Sequence, residues 1–348
     1  MDSYTRYILK LASICIASLS AIVFIVFVGI WHIDLFMMDF GVYWRVANGP
    51  ISSAYEHRAS LNFPYPPTML LWISPLSLLS KGPAYALWIV ASVAALVAAS
   101  RRHLDRSALT LTLIAPPVVY CLLTGQVSVA LGALILWSCS VNSRIAAGSA
   151  LAIAASVKPQ LVLMAPLLLA ARKDHSAIIW GGIVLISLVL LTVAMFGIET
   201  WAAWLGSLDH FRSIVVRNGV LNVTITPASV AVLWHLPPVP FLILGATLGA
   251  WIAIYCCDGD PLIRSAAIVT GSLLASPYAV IYDLAALVPF LAWAVARGKI
   301  VAVIGYLGGL NIIPLLVTAF ELAQVAPAKI ETDPQEEASA SRESSVID

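Results

Sequence analysis

The chain has 348 residues, of which 61% are hydrophobic and only 11% charged, with a formal net charge of +1 and a mean hydropathy of +0.94. Soluble domains carry about 25% charged residues, so this composition excludes a water-soluble globular fold and makes lipid the solvent. The near-zero net charge provides no basic field for nucleic acid.

In chain order, Arg6 and Lys10 precede an apolar run over 14–31. A cleaved signal sequence has an apolar core of roughly 7–15 residues and a small-residue cleavage site. This run is longer and closes on Val28-Gly29-Ile30-Trp31, so it reads as a retained first span entered from the cytoplasm. A long loop over 32–66 follows. Within it Phe40, Tyr43, Trp44 and Ala47 fall at helical spacing and Asn48-Gly49-Pro50 stops the pattern, which predicts a short interfacial helix. Apolar runs at 83–100, 107–124, 126–141, 145–157, 159–171, 177–197, 239–257, 262–276, 279–296 and 300–320 predict the remaining spans. Several are shorter than the ~20 residues of an upright crossing and require extension at their ends or a locally thin bilayer. Two pieces rich in Pro and Ser, 66–80 and 224–236, predict half-length helices enclosed by protein.

Charge placement orients these elements. If the two half-length pieces do not cross, Arg101-Arg102, Arg144, Arg172-Lys173, Arg264 and Arg297…Lys299 all fall on the cytoplasmic side. The same parity gathers loop 32–66, Gly125-Gln126, Lys158-Pro159, loop 198–223 and Ser276-Pro277…Tyr282-Asp283 on the outer face. The expected fold class is an all-α integral membrane bundle of about 11 spans with two half-length helices and an outer-face interfacial helix. The expected domains are a membrane unit over 1–325 and a disordered acidic tail over 326–348, carrying Glu331, Asp333, Glu336, Glu337, Glu343 and Asp348.

Two stretches of the first loop carry candidate chemistry: Met38-Asp39-Phe40-Gly41-Val42-Tyr43-Trp44 and Phe63-Pro64-Tyr65-Pro66-Pro67. Asp39 reads as a helix N-cap or as a functional carboxylate of the outer loop. Tyr43, Trp44 and Tyr65 read as interfacial anchors or substrate contacts. Asp34 and Glu56 are the other carboxylates of the loop and rank below Asp39. Lys158, at the start of an apolar stretch, either snorkels to headgroups or binds an anion. Gln126 caps a helix or hydrogen-bonds a neighbour. Asp283 pairs with Lys158 or a loop arginine. His32, His57, His210 and His235 lack the spacing of metal ligands, and none of the five cysteines shows zinc or redox spacing.

Taken in order, these motifs resemble glycosyltransferase family 87, which includes polyprenyl-phosphate-mannose-dependent mannosyltransferases. The similarity runs through Asp39-Phe40-x-Val42-Tyr43, Phe63-x-Tyr65-Pro66-Pro67, Gly125-Gln126-Val127-Ser128, Ser156-Val157-Lys158-Pro159 and Ala275-Ser276-Pro277. Where some members carry a His-containing segment after Ser-Pro, this chain has Tyr278 and Tyr282-Asp283. The resemblance implies the GT-C architecture, in a bacterial inner membrane with an outward-facing site. It implies inverting transfer of a hexose, with mannose the expectation, from a polyprenyl phosphate to a lipid or glycan hydroxyl. Asp39 matches the catalytic carboxylate. A phosphate leaving group needs no protonation, so one base suffices, but it does need positive charge, for which Lys158, Arg212 and Arg217 are the candidates on that face. Tyr43, Tyr65, Gln126, Tyr282 and Asp283 are the candidate substrate contacts. No metal or cofactor is expected, and the expected partners are donor, acceptor and membrane lipid. A transporter of a lipid-linked or small polar solute is the competing class; it would place ionisable groups near the bilayer midplane rather than at one face.

Overall fold

The structure, a computed structural model, describes residues 3–31, 35–55, 63–309 and 311–325. Asp34, Glu56, His32, His57 and the tail over 326–348 lie outside the described residues. Those that are described fold into helices: α1 (Ser3–Trp31), α2 (Met38–Asn48), α3 (Thr68–Ile73), α4 (Lys81–Ser100), α5 (Arg106–Ile114), α6 (Pro116–Thr124), α7 (Ser128–Ser140), α8 (Arg144–Val157), α9 (Ala165–Ala171), α10 (His175–Phe196), α11 (Ile198–Arg217), α12 (Pro227–Leu233), α13 (Pro238–Tyr255), α14 (Pro261–Leu274), α15 (Val288–Ala296), α16 (Ala302–Leu307) and α17 (Ile313–Val325). This is the all-helical, multi-span membrane architecture the composition requires.

Four single helices are long and apolar enough to cross a bilayer, within α1, α4, α10 and α13, and the bent pair α5–α6 makes a fifth. The other expected spans are shorter helices, and prolines account for many of the breaks. Pro116 holds Ala115 in an extended conformation (φ −58°, ψ 134°) and bends α5 against α6 by 47°. Pro159 ends α8, and Gly308, at φ +73°, closes α16. The half-length helices are seen as α3 with its 3₁₀ extension Ser74–Leu78, and as α12. Segment 198–223 departs from expectation: most of it is not loop but the 20-residue α11. Trp204, Leu208, Phe211 and Val215 repeat at helical spacing there, a period obscured by the intervening charges.

The core lies around α14 and α15. All of α14 except Pro261 and Arg264 is buried, as is all of α15 except Trp293. Small residues let backbones touch where helices cross. A Cβ on Gly148 of α8 would lie 2.2 Å from the Ala177 carbonyl oxygen of α10, and one on Gly249 of α13 would lie 2.3 Å from that of Gly271 on α14. By contrast α10 buries only 6% of its apolar window within the protein and offers the rest to lipid.

Candidate active site

α2 is held against the end of α6 by a glycine. Gly125 terminates α6 in the left-handed region (φ +79°), and a Cβ there would meet the Phe40 Cβ at 2.4 Å. The Met37 N–H donates to the Leu123 carbonyl at 2.9 Å, and the Tyr85 hydroxyl to the Leu122 carbonyl at 2.8 Å. These contacts bring Asp39, in the first turn of α2, beside Thr124 and Gln126. The N-cap of α2 is Met37, and no side chain caps it, so Asp39 does not serve as the N-cap.

Asp39 is half-buried, but its Oδ2 is enclosed and has no hydrogen-bond partner among the described residues. An enclosed carboxylate oxygen left without a donor is costly, and such groups are retained mainly where they are used. Burial lifts the Asp39 carboxyl to about 6; hydrogen bonds from Gln126 and Thr124 and the charge of Lys158 pull it down, and the charge of Asp283 pushes it up. The network fixes how Gln126 is turned. Its Oε1 accepts from the Tyr43 hydroxyl at 3.0 Å and from the Tyr65 hydroxyl at 2.8 Å, and those two hydroxyls lie 2.7 Å apart. With its carbonyl occupied, Gln126 has its amide N–H groups for Asp39. Tyr43 and Tyr65 are therefore packed and hydrogen-bonded, at 1% and 7% exposure, rather than lying loose at headgroup depth.

A second cluster faces this one. Lys158 sits between two helical pieces, as the C-cap of α8 and the N-cap of the 3₁₀ turn Pro159–Leu161, because Pro159 stops the α-helical run. Its Nζ bonds the Asp283 Oδ1 and lies 3.3 Å from the Ser128 Oγ and 4.7 Å from the centre of the Tyr282 ring. Ser128 also donates to Asp283 Oδ1 at 2.6 Å, and the Val280 N–H donates to Oδ2 at 3.2 Å. Lys158 and Asp283 are 4% and 1% exposed, so Lys158 does not snorkel to solvent. A lysine has three N–H donors, and Asp283 and Ser128 occupy two. The loop holding Tyr65 is tied to this cluster because Thr68 donates to the Ser156 carbonyl at the end of α8. A cavity of about 360 Å³ opens here, lined by Tyr65, Lys158, Trp204, Phe211, Tyr282 and Asp283 among others.

The structure thus brings together seven of the nine candidates: Asp39, Tyr43, Tyr65, Gln126, Lys158, Tyr282 and Asp283. Tyr65, Lys158, Tyr282 and Asp283 line the cavity, and Tyr43, Gln126 and Asp39 adjoin it behind Tyr65, whereas Arg212 and Arg217 stand apart, both exposed on α11, with Arg217 donating to Ser213 at 3.3 Å. Ser128, Trp204 and Phe211 were given no role from sequence. Ser128 lies in the Gly-Gln motif, and Trp204, whose Nε1 donates to the Pro64 carbonyl at 3.1 Å, was hidden by reading α11 as loop.

No curated protein and no solved structure matches the chain. A family model does, that of glycosyltransferase family 87, over residues 63–277. The matched stretch contains Tyr65, Gln126 and Lys158; Asp39 and Asp283 fall outside it and are joined to it by the contacts above. With well over half its length matched, the chain belongs to glycosyltransferase family 87.

Proposed function

We propose that this glycosyltransferase moves a hexose, mannose being the expected one, from a polyprenyl-phosphate donor to the hydroxyl of a lipid or glycan at the outer face of the membrane. The supporting observation is the enclosed, partnerless Oδ2 of Asp39, set across from a buried lysine with one N–H to spare. Asp39 takes the proton of the acceptor hydroxyl, whose oxygen attacks the anomeric carbon. The bond from that carbon to the phosphate oxygen breaks, its electron pair leaves with the phosphate, and the configuration inverts. Lys158 stabilises the charge gained by the leaving phosphate, Asp283 and Ser128 hold Lys158 in place, and Tyr282 lies against it. Tyr43 and Tyr65 orient Gln126, which holds Asp39. Arg212 and Arg217 would attract the donor phosphate from the headgroup region rather than bind the leaving group. In this arrangement the N-terminus is cytoplasmic, the bundle makes about 11 crossings of an inner membrane, and the site opens outward.

The purified protein should transfer labelled hexose from polyprenyl-phosphate-hexose in detergent or vesicles, and not from a nucleotide sugar. Full transfer from a nucleotide sugar without a lipid carrier would overturn the donor assignment.

A further inference from the structure

Three helices connect the candidate active site to the other end of the bundle. α7 begins at Ser128, α8 ends beside Lys158, and α14 leads into the segment carrying Ser276 and Asp283. Helices of this length rise about 20 Å, so their opposite ends lie about 20 Å from the cavity described above. A second cavity, of about 430 Å³, opens there, lined by Ser140, Asn142, Arg144, Arg172, Asp174 and Arg264 among others. Its charges do not balance. Arg144 and Arg172 share the single carboxylate of Asp174, Arg172 Nε lying 3.3 Å from Oδ2. Arg172 Nη1 also donates to the Cys257 carbonyl at 2.6 Å. Arg264, half-buried, donates to the Cys139 carbonyl and has no carboxylate at ion-pair distance among the described residues. Among the lining side chains three guanidinium groups face one carboxylate, an excess of two positive charges that favours an anion; the further carboxylate acting on Arg264, Asp260, is spent on the backbone N–H groups of Leu262 and Ile263 at the start of α14.

The recess is not polar throughout. Leu151, Leu169 and Ala177 of its wall also line an adjoining groove of about 220 Å³, which is apolar and runs between α8, α9 and α10. Gly182 on that groove faces open space. A cationic recess with room for a phosphate-bearing headgroup, continuous with an apolar groove on a lipid-facing surface, matches the head and chain of one molecule.

We propose that this end of the bundle binds one anionic phospholipid, its phosphate on Arg144, Arg172 and Arg264 and one acyl chain in the groove between α8, α9 and α10. The site is separate from the Asp39 chemistry and stands whether or not the donor assignment holds.

The test is native mass spectrometry of the purified full chain, titrated with phosphatidylglycerol or with phosphatidylcholine of the same acyl chains. One phosphatidylglycerol should be retained at least tenfold more tightly than phosphatidylcholine. Arg172→Gln/Arg264→Gln should abolish that preference, and Arg106→Gln, a change at an exposed arginine away from the recess, should preserve it. Gly182→Phe, which fills the groove but leaves every arginine, should weaken phosphatidylglycerol retention by a similar factor, with melting temperature confirming the fold. Equal retention of both lipids, or an unchanged preference in the double arginine variant, would overturn the site. Displacement by glycerol phosphate at the same concentration as the lipid, or indifference to Gly182→Phe, would overturn the lipid assignment by showing that the groove contributes nothing.

Discussion

At one end of α8, Lys158 is 4% exposed and closed against an aspartate that is 1% exposed; at the other, Arg144 is 53% exposed and shares Asp174 with a second arginine. Both ends carry ion pairs, yet they differ physically. The exposed pair is solvated, screened by salt and worth about 0–1 kcal/mol. The buried pair has lost its water, and a well-packed apolar pair would often be at least as stable. Stability alone therefore explains the arginine end poorly and the lysine end not at all. The first suits orientation and lipid headgroups, whereas the second suits a charge kept dry for a reaction.

The largest expected difference between the ends is at Asp39. Asp39→Asn keeps the shape of the side chain but cannot take a proton, and should lower transfer by about 10²- to 10⁴-fold with little change in melting temperature. Transfer near the wild-type rate would remove Asp39 from catalysis. Next is the buried pair. Lys158→Met alone leaves Asp283 charged and without its counter-ion, held only by Ser128 and the Val280 N–H, and should cost about 3–5 kcal/mol of stability. Adding Asp283→Asn should restore much of the melting temperature but not the activity, which stays about 30- to 1000-fold down through loss of phosphate stabilisation. Rescue of both together would make the pair purely structural.

Gly125→Ala forces an unfavourable backbone conformation and a clash with Phe40, and should cost about 1–3 kcal/mol while loosening Asp39 from Gln126. Thermal melting and transfer rate should fall together. A smaller effect concerns pH. With the Asp39 carboxyl near 6, its basic form declines below that value, so transfer should drop about tenfold between pH 7 and pH 5. Stability should move the other way. The folded state holds a proton at about 6 that an unfolded aspartate, at 3.8, releases, so Asp39 makes the protein more stable as pH falls through about 6. Asp39→Asn should erase that contribution, measured as the difference between its melting curve and the wild type across this range. Smallest of all, Arg144→Gln should change stability by less than about 1 kcal/mol and leave transfer intact. A large loss of transfer there would mean that the two ends are not independent.

Much of this contrast was legible in the sequence. Apolar runs located the helices because lipid-exposed faces tolerate few polar groups; Gln126 and Lys158 stood out because each falls at the junction of two such runs, and Asp39 because it opens the helical pattern of the first loop. Asp283 was legible as a partner of Lys158 or of a loop arginine, without a choice between them; 125 positions separate it from Lys158, and no periodicity links them. The tyrosines illustrate the opposite limit. Tyr43 and Tyr65 look like headgroup anchors because aromatic residues at span ends usually are, and only the fold shows both hydroxyls meeting on one amide oxygen. The lengths of the spans were read less well, since residue counts do not show how sharply Pro116 turns a run that is apolar on both sides of it.

The closure of Lys158 against Asp283 also has a consequence for the reaction coordinate. With that pair neutral, an ionised Asp39 leaves the network around the pocket with one uncompensated negative charge. A bound phosphodiester donor adds a second close by and should raise the proton affinity of Asp39, sharpening the base only once donor is in place. During transfer the acceptor proton neutralises Asp39 as the departing phosphate gains its extra charge. In the proposed reaction the pocket's total charge therefore never changes, and one unit of negative charge is displaced from the α2 side to the lysine side.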